Sequence, residues 1–188
     1  MTIQLFKWMV ALAIMLYMPL LFEQIKGIRR QDGKHSDEYI KERVESIYFD
    51  VTHFYNRLGT LRQEGGAEPE TWPDFDRKYC TDAWNEQVAR MPGDFFSRNY
   101  WLGGSDLHFL YANKVEVIDR TGNQATVSLT LHNGDNAVPV LLAVSFEHDD
   151  WQIDNMTYYW NERPSTRHYD WRQEMEDYKM PGQGQQTT

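Results

Sequence analysis

The chain has a single cysteine, Cys80, in 188 residues. That excludes an intrachain disulfide and leaves no CxxC knuckle to hold zinc or an iron–sulfur cluster. With Phe75, Tyr79 and Trp84 close by in sequence, Cys80 reads as a small buried hydrophobe rather than a nucleophile. Positive charge is also scarce, because 19 Lys and Arg stand against 28 Asp and Glu, for a formal net charge of -9. Such a surface repels a phosphate backbone, and no basic run is interleaved with aromatics, so no nucleic-acid partner is expected. HExxH, P-loop, GxSxG and dinucleotide-binding fingerprints are all missing, and no internal repeat is visible. No cofactor and no metal site is therefore expected.

Long apolar runs are limited to one. Residues 5–22, LFKWMVALAIMLYMPLLF, are apolar apart from Lys7, and the uninterrupted part from Trp8 to Phe22 is fifteen residues long. That length falls between the core of a signal peptide and a full span of about 20 residues. Glu23-Gln24-Ile25-Lys26 stands next in place of a small-x-small cleavage site. The expectation is a signal anchor within residues 1–30 that attaches the chain to a membrane through residues 5–22; a cleaved, secreted form is the second reading. Lys26, Arg29, Arg30 and Lys34 outnumber Lys7, which favours a cytoplasmic side for the remainder of the chain. A short anchor with almost nothing in front of it acts as an export signal, however, and the domain is expected on the exported side, periplasmic or extracellular.

Large rings are plentiful: 14% of the chain is aromatic, with seven Trp. One domain of ordinary size can be packed from them. From Ser36 onward Ile40, Val44, Ile47, Val51, Phe54 and Leu58 recur at helical spacing, with Ser36 as N-cap and Gly59 as the terminator. Burying six such side chains at about 1.5–3 kcal/mol each requires a large apolar partner surface. Gln63 to Glu70 reads as a polar loop, and two short helices come after it, Trp72 to Tyr79 and Thr81 to Met91. The period then changes to two. Val115 and Val117, then Ala125 to Leu131, then Val138 to Phe146, then Trp151 to Trp160 form a four-stranded antiparallel meander, joined at Gly122-Asn123, Gly134-Asp135 and His148-Asp149. Pro139 is awkward in a central strand, since it removes a ladder donor and favours an edge or a bulge. Ser165 to Met180 is expected as a last helix, with Trp171, Met175 and Tyr178 on one side. The polar tail from about residue 181 is expected to be disordered.

This order of elements resembles the nuclear-transport-factor-2-like superfamily, also called cystatin-like or SnoaL-like, over residues 36–160. The segment Trp101-Leu102-Gly103-x-x-Asp106 ahead of the first long strand and Trp151-x-Ile153-Asp154 in the last carry the likeness. The closest likeness is to small exported bacterial domains of unknown function. The resemblance implies an α+β, cone-like fold. In it a long helix and short helices pack on a curved sheet, an apolar helix precedes them, and residues 161–188 are a polar extension. It also implies a conical pocket, which some members use for catalysis and others only to bind a ligand or partner; the fold alone does not choose.

The stretch Tyr100 to Phe109, YWLGGSDLHF, carries the candidate chemistry. Asp106 and His108 point to one side if Leu107 is extended, and a carboxylate bonded to an imidazole can act as a general base. The structural alternative is a turn at Gly103-Gly104, with Trp101, Leu107 and Phe109 plugging the mouth of the cone. Trp101, Asp106, His108 and Tyr111 are the expected ligand-binding residues. On the long helix His53 projects away from the apolar stripe and Asp50 lies at its edge. His148, Asp149 and Asp150 are adjacent in a turn and converge poorly on one ion. The expected function is a non-enzymatic binding domain for a small-molecule ligand or a protein partner. One alternative is a small isomerase- or dehydratase-like enzyme using Asp106 and His108. The other is an assembly subunit of a membrane secretion machine, a role that a homodimer through the open sheet face fits.

Overall fold

The computed structural model describes residues 33–67, 73–92, 95, 99–102, 108–162 and 165–178, except for the side chains of 160–162 and 165–167. The expected anchor at 5–22, Asp106 and the tail from 181 lie outside the described residues. The chain divides into two compact units, residues 1–39 and 40–188, and the sheet and its core belong to the second. No described helix is long and apolar enough to cross a membrane.

Helix α1 spans Asp37–Gln63. The Ser36 hydroxyl accepts from the Tyr39 N–H at 3.2 Å, and Asp37 and Glu38 lie in the first, electropositive turn. The expected stop at Gly59 is a correction. One glycine inside a helix costs about 1 kcal/mol relative to alanine, too little to end it against the buried turns around it. The helix ends at Gln63 and its close is made by Gly65, where φ is 69°; Gly65 N–H reaches Arg62 O at 3.3 Å and Gly66 N–H reaches Leu61 O at 2.8 Å. This pair of bonds is a Schellman close, which needs a left-handed residue at that position. Ile40, Val44, Ile47, Val51 and Leu58 are buried as the spacing predicts; Tyr48, Thr52 and Tyr55 widen the stripe, while Phe54 is only half-buried.

The sheet has five antiparallel strands in sequence order, not four: β1 Leu110–Thr121, β2 Gln124–Asn133, β3 Asn136–Glu147, β4 Asp150–Glu162 and β5 Ser165–Asp170. The first three turns are two-residue loops. Gly122 and Gly134 hold positive φ at the first loop position, and His148 and Asp149 both hold it in the third, matching the primed turns that suit twisted strands. Pro139 sits on central β3 and is harmless there. It faces Thr130 between the hydrogen-bonded pairs of the β2–β3 hairpin, so its nitrogen is turned toward β4, whose pairing begins only at Val140.

Strand β4 contains a bulge that its sequence pattern announces. Ala143 pairs with Asn155 and Val144 with Ile153, which leaves Asp154 as the extra residue. The buried positions accordingly change parity, from Trp151 and Ile153 to Met156 and Tyr158. Two further irregularities bend β1. Buried side chains of α1 and the sheet fill the core, with Trp151, Tyr48, Tyr158, Ile47, Leu142 and Met156 among the largest. Side-chain bonds tie the helix across the sheet. Arg43 pairs with Asp150 at 3.0 Å at the start of β4, and Asn56 bonds both backbone groups of Leu110 at the start of β1. Those strand starts lie at opposite ends of the sheet, so α1 crosses it diagonally, over about 20 Å of helix.

The short helices are α2 Phe75–Tyr79, α3 Asp82–Val88 and α4 Trp171–Asp177, capped by Asp74, Thr81 and Asp170 respectively. The single C-terminal helix expected from Ser165 is corrected to strand β5 and then a two-turn helix. Tyr169 pairs with Tyr158, and Asp170 ends the strand by accepting from the Gln173 N–H at 3.0 Å. Trp171 and Met175, one helical turn apart, are buried.

Candidate functional site

Three pieces of chain meet beside the core to form a cleft of about 260 Å³. Helix α1 supplies Tyr55, the start of α2 supplies Pro73, Asp74, Phe75 and Asp76, and the segment after α3 supplies Asn99, Tyr100 and Trp101. The Asp74 cap accepts from the Arg77 N–H at 2.9 Å and starts α2, which fixes Phe75 and Asp76 on its first turn. Rings hold the rest in place. Phe75 lies 5.9 Å from Trp101 and 6.1 Å from Tyr55, centroid to centroid, and Tyr48 meets Trp101 at 6.2 Å. These are spacings of favourable tilted and edge-on pairs. Asn99 donates to the Tyr55 hydroxyl at 2.7 Å and accepts from the Trp101 N–H at 2.9 Å, which links α1 to the third piece.

Asp76 is the charged centre of the cleft. One carboxylate oxygen accepts from the Tyr100 hydroxyl, the other from Trp101 Nε1 at 2.9 Å. A carboxylate has room for about four hydrogens, so half of that capacity is left. Burial pushes the Asp76 carboxyl above its ordinary range; the bonds from Tyr100 and Trp101 pull the other way, and the charge of Asp74 adds to the rise. Among the described residues no ion pair reaches Asp74 or Asp76. Burial likewise raises the Tyr100 phenol, and the Asp76 charge beside it adds to that.

The expected ligand residues scatter. Trp101 is buried in the cleft wall, with 4% of its surface exposed. His108 and Tyr111 are exposed at the start of β1, and the ring of Tyr111 stacks on that of His132 at 4.2 Å. Asp106 lies outside the described residues, and with it the Asp106–His108 pair. Phe109 does not plug anything, since 68% of it faces solvent. It belongs to the outer surface because Leu110, the next residue, takes the inward position. The two described ends of the YWLGGSDLHF stretch are held by one side chain: Asn133 accepts from the His108 N–H at 2.9 Å and donates to Leu102 O at 3.5 Å.

Several other polar groups hold the fold together. Asp154, thrown outward by the bulge, binds the Thr81 cap at 2.8 Å and Arg172 at 2.8 Å, and so ties α3 and α4 to β4. Asp50 bonds the Tyr79 hydroxyl and Lys78, and the Tyr79 bond holds its carboxyl below the usual range. His53 is exposed and stacks on Phe49. Cys80 is buried, and burial pushes its thiol well up, away from a reactive thiolate. His148 does not converge with Asp149 and Asp150. It meets Asp82 at 3.1 Å, and Glu147 joins them to place three possible ligand atoms within 4.8 Å of one another. This group is largely solvated, with side-chain exposures of 63% for His148 and 75% for Asp82.

Sequence reasoning missed Tyr55, Asp74, Phe75 and Asp76. A signal existed in Pro73-Asp74-Phe75-Asp76, two carboxylates flanking a large ring at a helix start. Nothing local, however, shows that Tyr100 and Trp101 return to meet it. Comparison with family models, with curated proteins and with solved structures finds no match for this chain.

Proposed function

We propose that the chain is a non-enzymatic binding domain, exported or held at a membrane by residues 5–22. In this reading its cone-like α+β fold, of the nuclear-transport-factor-2-like kind, presents a small-ligand site at the Asp76 cleft. The observation that carries the reading is the cleft itself, a concave, ring-lined space with a partly buried carboxyl of raised pKa, the usual mark of a ligand site. At about 260 Å³ it suits a small molecule or one group of a larger one. The exposed imidazole of His108 favours binding over the isomerase- or dehydratase-like alternative, because it lacks an enclosed position for proton transfer.

The test is a fragment screen on the 188-residue chain by ¹H–¹⁵N spectra of the indole groups, with the Trp101 signal assigned by Trp101→Phe. Its N–H points at Asp76, so a ligand in the cleft shifts it. Hits that shift only other tryptophans, or none, would refute the site. A second reading, assembly with a partner or a second copy, is favoured by the exposed Phe109, just ahead of edge strand β1, and by the exposed Tyr111 on that strand. Sedimentation velocity with Phe109→Ser and Tyr111→Ser tests it; a parent that stays monomeric over the accessible concentrations would count against self-assembly.

A further inference from the structure

We propose that the cleft takes a small organic cation, an alkylated ammonium, seated among Tyr55, Phe75, Tyr100 and Trp101 with Asp76 and Asp74 as its counter-charges. This rests on the reading of the cleft as a ligand site and names the class of ligand.

Three observations converge on a cation. Among the described residues, both charged groups lining the cleft are carboxylates, with no lysine or arginine beside them. An anion is therefore repelled, and a neutral ligand leaves the charge of Asp76 uncompensated. Four aromatic rings line the same space, and ring faces attract alkylated ammonium groups through their quadrupoles, most strongly where water is excluded. The strongest donors of the cleft, the Tyr100 hydroxyl and the Trp101 indole, are already committed to Asp76. They hold the carboxylate in place and leave about half of its acceptor capacity for an incoming N–H or N–CH₃ group. The raised pKa of Asp76 agrees with this picture, for the site lacks a positive charge among the described residues. The volume agrees as well, because about 260 Å³ is below the range that drug-sized ligands need.

The experiment is isothermal titration of the 188-residue chain at constant ionic strength with methylammonium, tetramethylammonium and choline. The neutral isostere 3,3-dimethylbutan-1-ol, which carries carbon in place of the quaternary nitrogen, is titrated alongside them. At least one cation is expected to bind about tenfold or more tightly than the alcohol. Asp76→Asn should abolish that preference while the chain melts no lower than the parent. Asp74→Asn keeps a good helix cap, since asparagine serves as well as aspartate there; it should weaken the cation by a smaller factor and leave the alcohol unchanged. If the alcohol binds as tightly as the cations, the cation class is overturned and the cleft stands as a site for neutral ligands; if Asp76→Asn keeps full cation affinity, Asp76 is not the counter-charge and the proposed seat is overturned. If neither cations nor alcohol bind, the cation class is overturned as well, and fragment shifts at Trp101 then decide separately whether the cleft is a ligand site at all.

Discussion

Substituting Asn56 by alanine should destabilise the chain by about 2–4 kcal/mol. Asn56 lies half-buried on α1, and its side-chain amide makes both backbone bonds of Leu110. It donates to the carbonyl at 2.7 Å and accepts from the N–H at 2.6 Å. Leu110 opens edge strand β1 and is itself 1% exposed, so the amide stands in for a neighbouring strand. A typical hydrogen bond contributes about 1 kcal/mol net, but a buried group left without a partner costs about 1–3 kcal/mol. Alanine orphans one donor and one acceptor, and partial entry of water at the sheet edge brings the sum into the stated range. For a chain of this size the melting temperature should fall by about 5–12 °C. Urea melts monitored by far-ultraviolet circular dichroism measure the loss, with an unchanged m-value showing that the denatured state is the same. Asn56→Asp keeps the acceptor and loses the donor at neutral pH. Its deficit relative to the parent should shrink on acidification, when the protonated carboxyl can donate again. A loss below about 0.5 kcal/mol for Asn56→Ala, the range of ordinary surface changes, would refute the reasoning.

Gly134→Ala should cost more than Gly122→Ala. Both hold positive φ, but an added Cβ at Gly134 meets His108 Cβ at 3.0 Å, whereas Gly122 has open space; strain alone is worth about 1 kcal/mol, and paired thermal melts show whether the contact adds to it. Arg172→Met should lower stability by roughly 1–3 kcal/mol, since Asp154 loses its ionic partner and the Asp154 carbonyl its donor; equal urea midpoints for variant and parent would show that the node carries nothing. The two perturbed carboxyls should respond to pH with opposite sign. Asp50, lowered in the fold, stabilises above its unfolded pKa, and that contribution is lost as pH falls through the lower folded value; Asp50→Asn should therefore cost stability at neutral pH but not in acid. Asp76, raised in the fold, has its contribution fully present below the unfolded pKa and loses it as pH rises through the folded value; Asp76→Asn should gain stability at neutral pH and converge with the parent in acid. Melts of both variants from pH 3 to 8 check the pair.

Legibility in the sequence went with local periodicity. The stripe from Ile40 to Leu58 and the alternation from Ala125 to Leu131 each have one buried face, so the spacing of apolar residues shows the element directly. The turns were legible because Gly122 and Gly134 are the residues their loops require. Strand β5 was not, because Ser165 to Asp170 gains its order from pairing with β4, and polar residues with Trp171 and Met175 behind them mimic a helical face. The stop at Gly59 failed for a related reason: a glycine ends a helix only where the chain needs a left-handed residue, and that need arises at Gly65. The cleft was half legible. Trp101 stood out after a tyrosine and shortly before two glycines, but Asp76 is 25 residues away in sequence and reaches the indole only through the packing of α2 on α1.

The charge of Asp76 is what separates a structural role from a binding one. As an acceptor for Tyr100 and Trp101 it orders the chain ahead of β1, but acceptance does not require a formal charge. Asparagine can satisfy the same neighbours: its carbonyl accepts from the indole, and its N–H₂ donates to the Tyr100 oxygen, since a phenol both donates and accepts. Burial meanwhile penalises the ionised form, and Asp74 adds a second negative charge nearby. The fold alone is thus better served by the amide, and a positive group entering the cleft favours the ionised form. Binding of a cation should therefore lower the Asp76 pKa and release protons where that group titrates, with Tyr100, Tyr55, Cys80 and Asp74 as the other titratable groups coupled to it. Titration in buffers of different ionisation enthalpy measures the proton count directly. Zero protons released at every pH between 4 and 7 would mean that Asp76 is not the counter-charge, whatever the affinity.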